Sequence, residues 1–231
     1  MGGSLIFFFV SSSLFSHFRQ RDKASTAADK FSKGSQRDIS QVAANGGLAT
    51  FVALGYGLTP SPWLREMLQV GYTGVLATAT ADTWATELGV LSPHTPRLIT
   101  TGKLVAPGTS GGITLLGTSA ATLGSLALGI VFWALQRCRK SLASLPLIAL
   151  VSGLAGSMFD SLLGATIQAM YYCPSCHKET ERHIHSCGTR TQPLRGISWF
   201  NNDVVNFLAT LVGGGVAMAM YVGMRSYHCL A

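Results

Sequence analysis

Acidic and amide side chains interrupt stretches of this chain that are otherwise apolar enough for lipid, and that conflict limits its possible folds most strongly. Asp82 and Glu87 lie within LATATADTWATELGVL (76–91), Asp160 sits in LPLIALVSGLAGSMFDSLLGATI (145–167), and Asn202 and Asp203 open the last apolar run. An ionisable group at bilayer depth costs about 2.5–3.5 kcal/mol on insertion scales, so such residues face a polar site inside the protein. The chain has only 10 Asp and Glu, and four of them occur here. A buried site that handles a metal, a proton or a phosphate is therefore expected.

Of the 231 residues, 48% are hydrophobic and 12% charged. Soluble domains carry about 25% charged residues, so an integral membrane protein is expected. The predicted fold is all-α and polytopic, a single membrane domain over 1–231. Spans need about 20 apolar residues, and six are predicted at about 3–18, 39–58, 64–85, 111–135, 145–168 and 204–225. Met1–Phe18 lacks a basic n-region and an A-x-A site, so it reads as a first membrane helix rather than a signal peptide. The connection 19–38 is a polar loop with amphipathic character, and 86–112 is a surface or re-entrant loop.

Six spans place 19–38, 86–112 and 169–203 on one face, with twelve of the 17 Lys and Arg. The positive-inside rule then puts these loops in the cytoplasm, with the protein in the cell membrane if it is prokaryotic. The net charge of +7 is assigned to this orientation and not to nucleic acid. The 26 glycines, many in small-residue steps, are read mainly as close helix packing.

Four constellations carry chemistry. In ADTWATELG, Asp82 and Glu87 are about 140° apart on a helix and converge only if it ends or bends near Gly89. Such carboxylates suit Mg²⁺ held together with substrate phosphates. The competing reading is acids at a helix end. The second is Lys103 followed by Gly108, Thr109, Ser110, Gly111 and Gly112, then a long helix. Its glycines admit backbone N–H groups to an anion, hydroxyls add donors, and a helix N-terminus supplies positive potential. It is not a Walker loop, because the lysine comes first; the plain alternative is a helix start capped by Thr109 or Ser110.

The third constellation is Asp160 with Asn202, Asp203 and Asn206, where the last three share a helical face at i, i+3 and i+4 spacing. Either they hydrogen-bond between helices, or Asp160 and Asp203 complete a metal–nucleotide site with the first motif. The fourth, in the polar insert 169–203, is Cys173-Pro-Ser-Cys176 with His183, His185 and Cys187. This spacing fits a four-coordinate Cys₃His zinc knuckle, with His183 or His185 as fourth ligand and a structural role. The alternatives are a redox or disulfide pairing, or a loop that binds no metal.

The strings SQRDISQVAANGG, ADTWATELGVLS, PRLITTGKLVAPGTSGGITLLGT, GSMFDSLLGATIQ and ISWFNNDVVNFLATL together resemble a known transmembrane family. It is the family of domain of unknown function 92, to which phytyl-phosphate kinase and transmembrane protein 19 belong. The Cys/His insert resembles that of its prokaryotic members, and an N-terminus shorter than in the longer members is expected. The resemblance implies an enzyme passing phosphate from a nucleoside triphosphate, CTP by preference, to a prenyl or phytyl monophosphate. It implies Asp82, Glu87, Lys103, Asp160 and Asp203 as catalytic positions, with Mg²⁺ at Asp82, Glu87 and Asp160. Lys103, Gly108–Gly112, Asn202 and Asn206 would bind phosphate, and the prenyl tail would lie among membrane lipid. Two other classes remain: an ion-coupled transporter using Asp82 and Asp160, and a membrane scaffold that docks through its knuckle.

Overall fold

A computed structural model describes residues 1–27, 39–139 and 142–230, with the side chains of 39–43 and 227–230 left aside. The second half of the predicted polar connection, 28–38, lies outside the described residues. The elements in chain order are α1 (Gly2–His17), α2 (Gln20–Thr26), α3 (Ile39–Leu58), α4 (Pro62–Gly89), β1 (Arg97–Leu98), β2 (Gly112–Ile113), α5 (Leu115–Leu135), α6 (Leu145–Thr166), β3 (Met170–Cys173), β4 (Lys178–Thr180), β5 (Gln192–Arg195) and α7 (Asn202–Leu230). The chain is mainly helical, and a helix occupies each of the six predicted apolar stretches.

Among the described residues, three helices are long and apolar enough to cross a membrane: α5, α6 and Asn202–Ser226 of α7. Helix α1 is apolar but only 16 residues long. Helix α4 has 28 residues but carries Arg65, Glu66, Asp82 and Glu87 among its threonines. Six membrane spans are thus a larger number than length and hydropathy alone support.

Helix α4 is the axis of the bundle and packs against α1, α3, α5, α6 and α7. It begins where the Pro60–Pro62 turn allows, with Ser61 capping the Leu64 N–H and Pro62 in the first turn. Every residue from Gln69 to Ala81 is buried, as expected of a helix enclosed on all sides. Small residues make this possible. A Cβ on Gly153 would come within 3.0 Å of the Ala77 carbonyl, and one on Gly74 within 2.5 Å of the Gly213 carbonyl. Gly156 and Gly213 both abut Thr78. The glycine-packing expectation therefore holds at these crossings.

The large apolar side chains Ile6, Phe9, Phe51, Leu54, Leu115, Leu123 and Leu147 face outward from the helices, a surface suited to lipid. Next to one end of α4, the short β1–β2 pair is antiparallel with Arg97 opposite Ile113 and Leu98 opposite Gly112. The insert between α6 and α7 is a three-stranded antiparallel sheet in the order β4-β3-β5. The helix ends that bear the sequence motifs gather around one cavity.

Candidate functional site

Helix α4 runs unbroken through both of its acids and ends at Gly89. A cavity of about 260 Å³ surrounds its last two turns, and both Asp82 and Glu87 line it. The two acids are brought to one space by the cavity's extent around the helix end, without a bend.

Glu87 is held by the N-terminal segment. The Ser16 hydroxyl donates to Oε1 at 2.6 Å, and the Lys23 ammonium donates to Oε2 at 2.6 Å. Lys23 also donates to the Phe15 carbonyl and its side chain is fully buried. The local chain path explains this. Helix α1 stops at His17, Phe18 is extended, and Arg19 at φ 51° turns the backbone into α2. That reversal aims Lys23 back at α4. Phe15 packs edge-on against Trp84 at 4.6 Å, anchoring the end of α1 one turn from Glu87.

The glycine loop forms the opposite wall, with Gly108, Thr109, Ser110, Gly111 and Gly112 all lining the cavity. Turn bonds fold it: Thr109 N–H donates to Ala106 O at 3.1 Å and Gly112 N–H to Thr109 O at 3.0 Å. Among the described residues, the N–H groups of Gly108, Ser110 and Gly111 donate to no backbone carbonyl. Gly111 has φ +80°, and a Cβ there would lie 2.5 Å from the Ala165 Cβ and 2.6 Å from its backbone nitrogen. Only glycine fits so close to α6. Ser110 is buried and donates to Gln168 Oε1 at 2.7 Å.

The cap of α5 is Thr114, not Thr109 or Ser110. Its hydroxyl accepts from Gly117 N–H at 3.0 Å and donates to the Gly89 carbonyl at 3.4 Å, tying the end of α4 to the start of α5. That helix N-terminus opens on the cavity through Thr114, Gly117 and Thr118, adding positive potential.

Helix α6 contributes Asp160 with Ser157 and Ser161, and α7 contributes Asn202 and Asn206. Asn201 caps α7 by accepting from Val204 N–H at 3.1 Å. Two predicted residues stand apart from the lining. Lys103 is exposed in the loop between β1 and β2, and Asp203 is half-buried in the first turn of α7. Sequence reasoning missed Ser16, Lys23, Asn45 and Gln168. All four look ordinary in sequence, and only tertiary contact brings them to the site.

Carboxylates, amides, hydroxyls and backbone N–H groups are hard donors and acceptors. Such a set suits Mg²⁺ and phosphate oxygens rather than soft metals.

The insert holds a second cluster. The ligand atoms of Cys173, Cys176, His185 and Cys187 all lie within 4.8 Å of one another, a group that could hold a metal ion. Cys173 and Cys187 sulfurs are 3.7 Å apart, and a tetrahedron with Zn–S bonds of about 2.3 Å has an edge of about 3.8 Å. His185 Nδ1 is 3.1 Å from Cys187 Sγ. His183 instead packs on Tyr171, with ring centroids 4.4 Å apart and the planes tilted by 51°, and its Nε2 is 3.3 Å from the phenol oxygen. Of the two histidines left open by the spacing, His185 stands with the cysteines. His177 is engaged elsewhere, with Nδ1 2.9 Å from the Tyr172 hydroxyl.

Hydrogen bonding with Thr189, through its hydroxyl and backbone, and then with His185 draws the Cys187 thiol down to about 6. Cys176, hydrogen-bonded to Cys187, is pushed up to about 11. Cys173, Cys176 and Cys187 are free thiols and not disulfides.

Comparison with known proteins places this architecture. The chain is 34% identical to Protein PGR of Arabidopsis thaliana, over 91% of this chain and 78% of that protein. An uncharacterized membrane protein of Methanocaldococcus jannaschii is 35% identical over 66% of this chain, and the match spans about half (51%) of the relative. The chloroplastic Protein VTE6 of Arabidopsis thaliana is 28% identical over 67% of this chain, but the match spans only 38% of VTE6. No solved structure matches the chain. The family model described as "Integral membrane protein DUF92" matches residues 1–214, nearly the whole chain with its helix-end cavity and its Cys/His insert, and the protein belongs to that integral membrane family.

Proposed function

We propose that the protein is a membrane-embedded lipid-phosphate kinase. It transfers the γ-phosphoryl group of a nucleoside triphosphate, CTP by the family resemblance, to a prenyl or phytyl monophosphate. The observation that carries this reading is the meeting of Asp82, Glu87, Asp160, Asn202, Asn206 and the Gly108–Gly112 loop around one cavity. Polar groups from four separated sequence motifs share a small space where a bilayer protein would otherwise exclude them.

The cavity's size supports phosphate chemistry. Sites for whole drug-sized ligands run about 300–1,000 Å³, and this one is about 260 Å³. It suits phosphate groups with a cation, the base and ribose lying outside and the prenyl tail between helices in lipid. Mg²⁺, which neutralises charge on the transferring phosphoryl group, would be held by Asp82 and Asp160. Glu87, already paired with Lys23, sets the local charge and the position of the α4 terminus. The N–H groups of Ser110 and Gly111 and the α5 N-terminus bind phosphate oxygens. Lys103 approaches from the exposed loop, and Asp203 supports the α7 terminus.

Phosphoryl transfer requires positioning and charge stabilisation more than a protein nucleophile. A phosphate oxygen of the acceptor attacks the γ-phosphorus. The bond from that phosphorus to the β,γ-bridging oxygen breaks, and the nucleoside diphosphate leaves. By the positive-inside argument these loops are on the cytoplasmic side. A structural zinc at Cys173, Cys176, His185 and Cys187 completes the reading.

The test is label transfer by the purified protein from γ-labelled CTP or ATP to phytyl, farnesyl or geranylgeranyl monophosphate with Mg²⁺. A labelled prenyl diphosphate is expected, with Asp82→Asn inactive. No transfer from any nucleotide to any of these acceptors contradicts the proposal, and pH-coupled ion flux in vesicles without nucleotide would favour the transporter reading.

A further inference from the structure

The Cys/His insert is joined to the cavity at its base. Its sheet is small, with strands of 4, 3 and 4 residues. Between β4 and β5, residues 181–191 form no regular strand and are crossed by the Ile184–Arg190 bridge and by local turn bonds such as Thr191 N–H to His183 O at 3.0 Å. Short sheets with little apolar core need a staple, and a bound metal is a common one. The four candidate ligands sit at the far end of this sheet, one on the terminal residue of β3, one in the turn between β3 and β4, and two in the 181–191 segment.

The near end of the same sheet forms the floor of the glycine loop. Gln168, between α6 and β3, is 1% exposed and accepts the Ser110 hydroxyl at 2.7 Å. Among the described residues its buried amide nitrogen has no hydrogen-bond partner, so the Ser110 hydroxyl is what holds this side chain. Directly after β5, Gly196 at φ +83° packs against the Gln168 carbonyl, and a Cβ there would also lie 2.8 Å from Ala169 N. Arg195, the last residue of β5, donates to the Gly164 carbonyl at 2.9 Å. Gly164 in turn abuts Ser110, where a Cβ would lie 2.7 Å from the hydroxyl and 3.1 Å from Gly111 N. Ile197 N–H to Ile167 O at 3.0 Å and Ala169 N–H to Phe200 O at 2.8 Å close the neck.

We infer that zinc bound by Cys173, Cys176, His185 and Cys187 positions the phosphate-binding loop, by fixing β3 and β5 and through them Gln168, Arg195 and Gly196 beneath Ser110 and Gly111. Gln168 is the positioning residue that links the two sites. The inference rests on the zinc reading of the insert and is independent of which phosphate compound enters the cavity. A Cys₃His set whose ligand atoms all lie within 4.8 Å of one another selects a borderline-soft divalent ion such as Zn²⁺ over Mg²⁺ or Ca²⁺. Four protein ligands leave no open coordination position, so the metal's effect is on geometry.

The test uses full-length protein in nanodiscs, with metal analysis and amide hydrogen exchange of the segment 106–113. One zinc per chain is expected. Removing it with a chelator should raise exchange in 106–113 about tenfold through loss of the buried Ser110–Gln168 bond, and added Zn²⁺ should restore protection. Gln168→Ala should raise exchange in the same segment while zinc content stays at one, a separation that general unfolding of the insert would not produce. Zinc bound but exchange in 106–113 unchanged on its removal overturns the positioning role. Protein that takes up no zinc overturns the metal assignment itself. Neither outcome bears on nucleotide binding, which this readout does not use.

Discussion

The Lys23 ammonium lies 2.6 Å from the Glu87 carboxylate, with the lysine side chain fully buried and the glutamate 13% exposed. The pair links the N-terminal segment to the end of α4 across 64 residues. Breaking a buried pair by removing one partner costs about 3–5 kcal/mol, because a charge is left without compensation. Lys23→Met and Glu87→Gln should each lower the unfolding free energy by about 3 kcal/mol. The double variant should lose less than the sum, which a thermal or denaturant double-mutant cycle measures. Additive losses would show that the pair is not coupled.

Gly111 and Gly215 separate two uses of glycine. Gly111→Ala forces a left-handed φ on a residue with a Cβ, costing about 1–2 kcal/mol. It also drives that Cβ onto the Ala165 backbone, which has no flexible end to move aside. Gly215, inside α7, has open space around its would-be Cβ, so Gly215→Ala should raise stability by up to about 1 kcal/mol. Melting curves of the two variants should move in opposite directions, and only Gly111→Ala should weaken binding of Mg²⁺–nucleotide.

Lys103 and Asp82 should differ in magnitude. Lys103 is exposed, and an exposed charge contributes less than about 1 kcal/mol, so Lys103→Ala should weaken nucleotide affinity by under about fivefold. Asp82 lines the cavity, and Asp82→Asn removes a charge at the proposed cation position. Isothermal titration of both variants with Mg²⁺–CTP checks the order, and an equal loss would mean Lys103 reaches further into the site than its exposure indicates.

Much of the site was legible because lipid makes polar residues conspicuous. Asp82, Asp160, Asn202 and Asn206 stood out in apolar runs, and the glycine loop stood out by composition; all line the cavity. Lys23 did not, because a lysine in a polar, mixed-charge connection carries no mark of burial; only the reversal at Arg19 turns it inward. Gln168 and Ser16 were hidden in the same way at the ends of helices. The cysteine spacing pointed to the Cys/His cluster that could hold a metal ion, but His183 and His185 are equivalent by spacing alone. The contact of His183 with Tyr171 and of His185 with Cys187 separates them. Helix positions followed from apolar length. The number of membrane crossings did not, since α4 is enclosed by other helices along Gln69–Ala81 and its composition reflects protein packing as much as lipid.

If the cavity at the end of α4 binds a nucleotide together with a divalent cation, both ligands stabilise the fold jointly, and thermal unfolding of the purified protein reads that coupling. Ligand at 100 times its dissociation constant stabilises by about 2.7 kcal/mol. The melting temperature should therefore rise with CTP or ATP only when Mg²⁺ is present, and the rise should vanish in Asp82→Asn and Asp160→Asn. A wild-type protein whose melting temperature is unmoved by millimolar nucleotide with Mg²⁺, or a shift that persists in both variants, would mean that this cavity is not a nucleotide site.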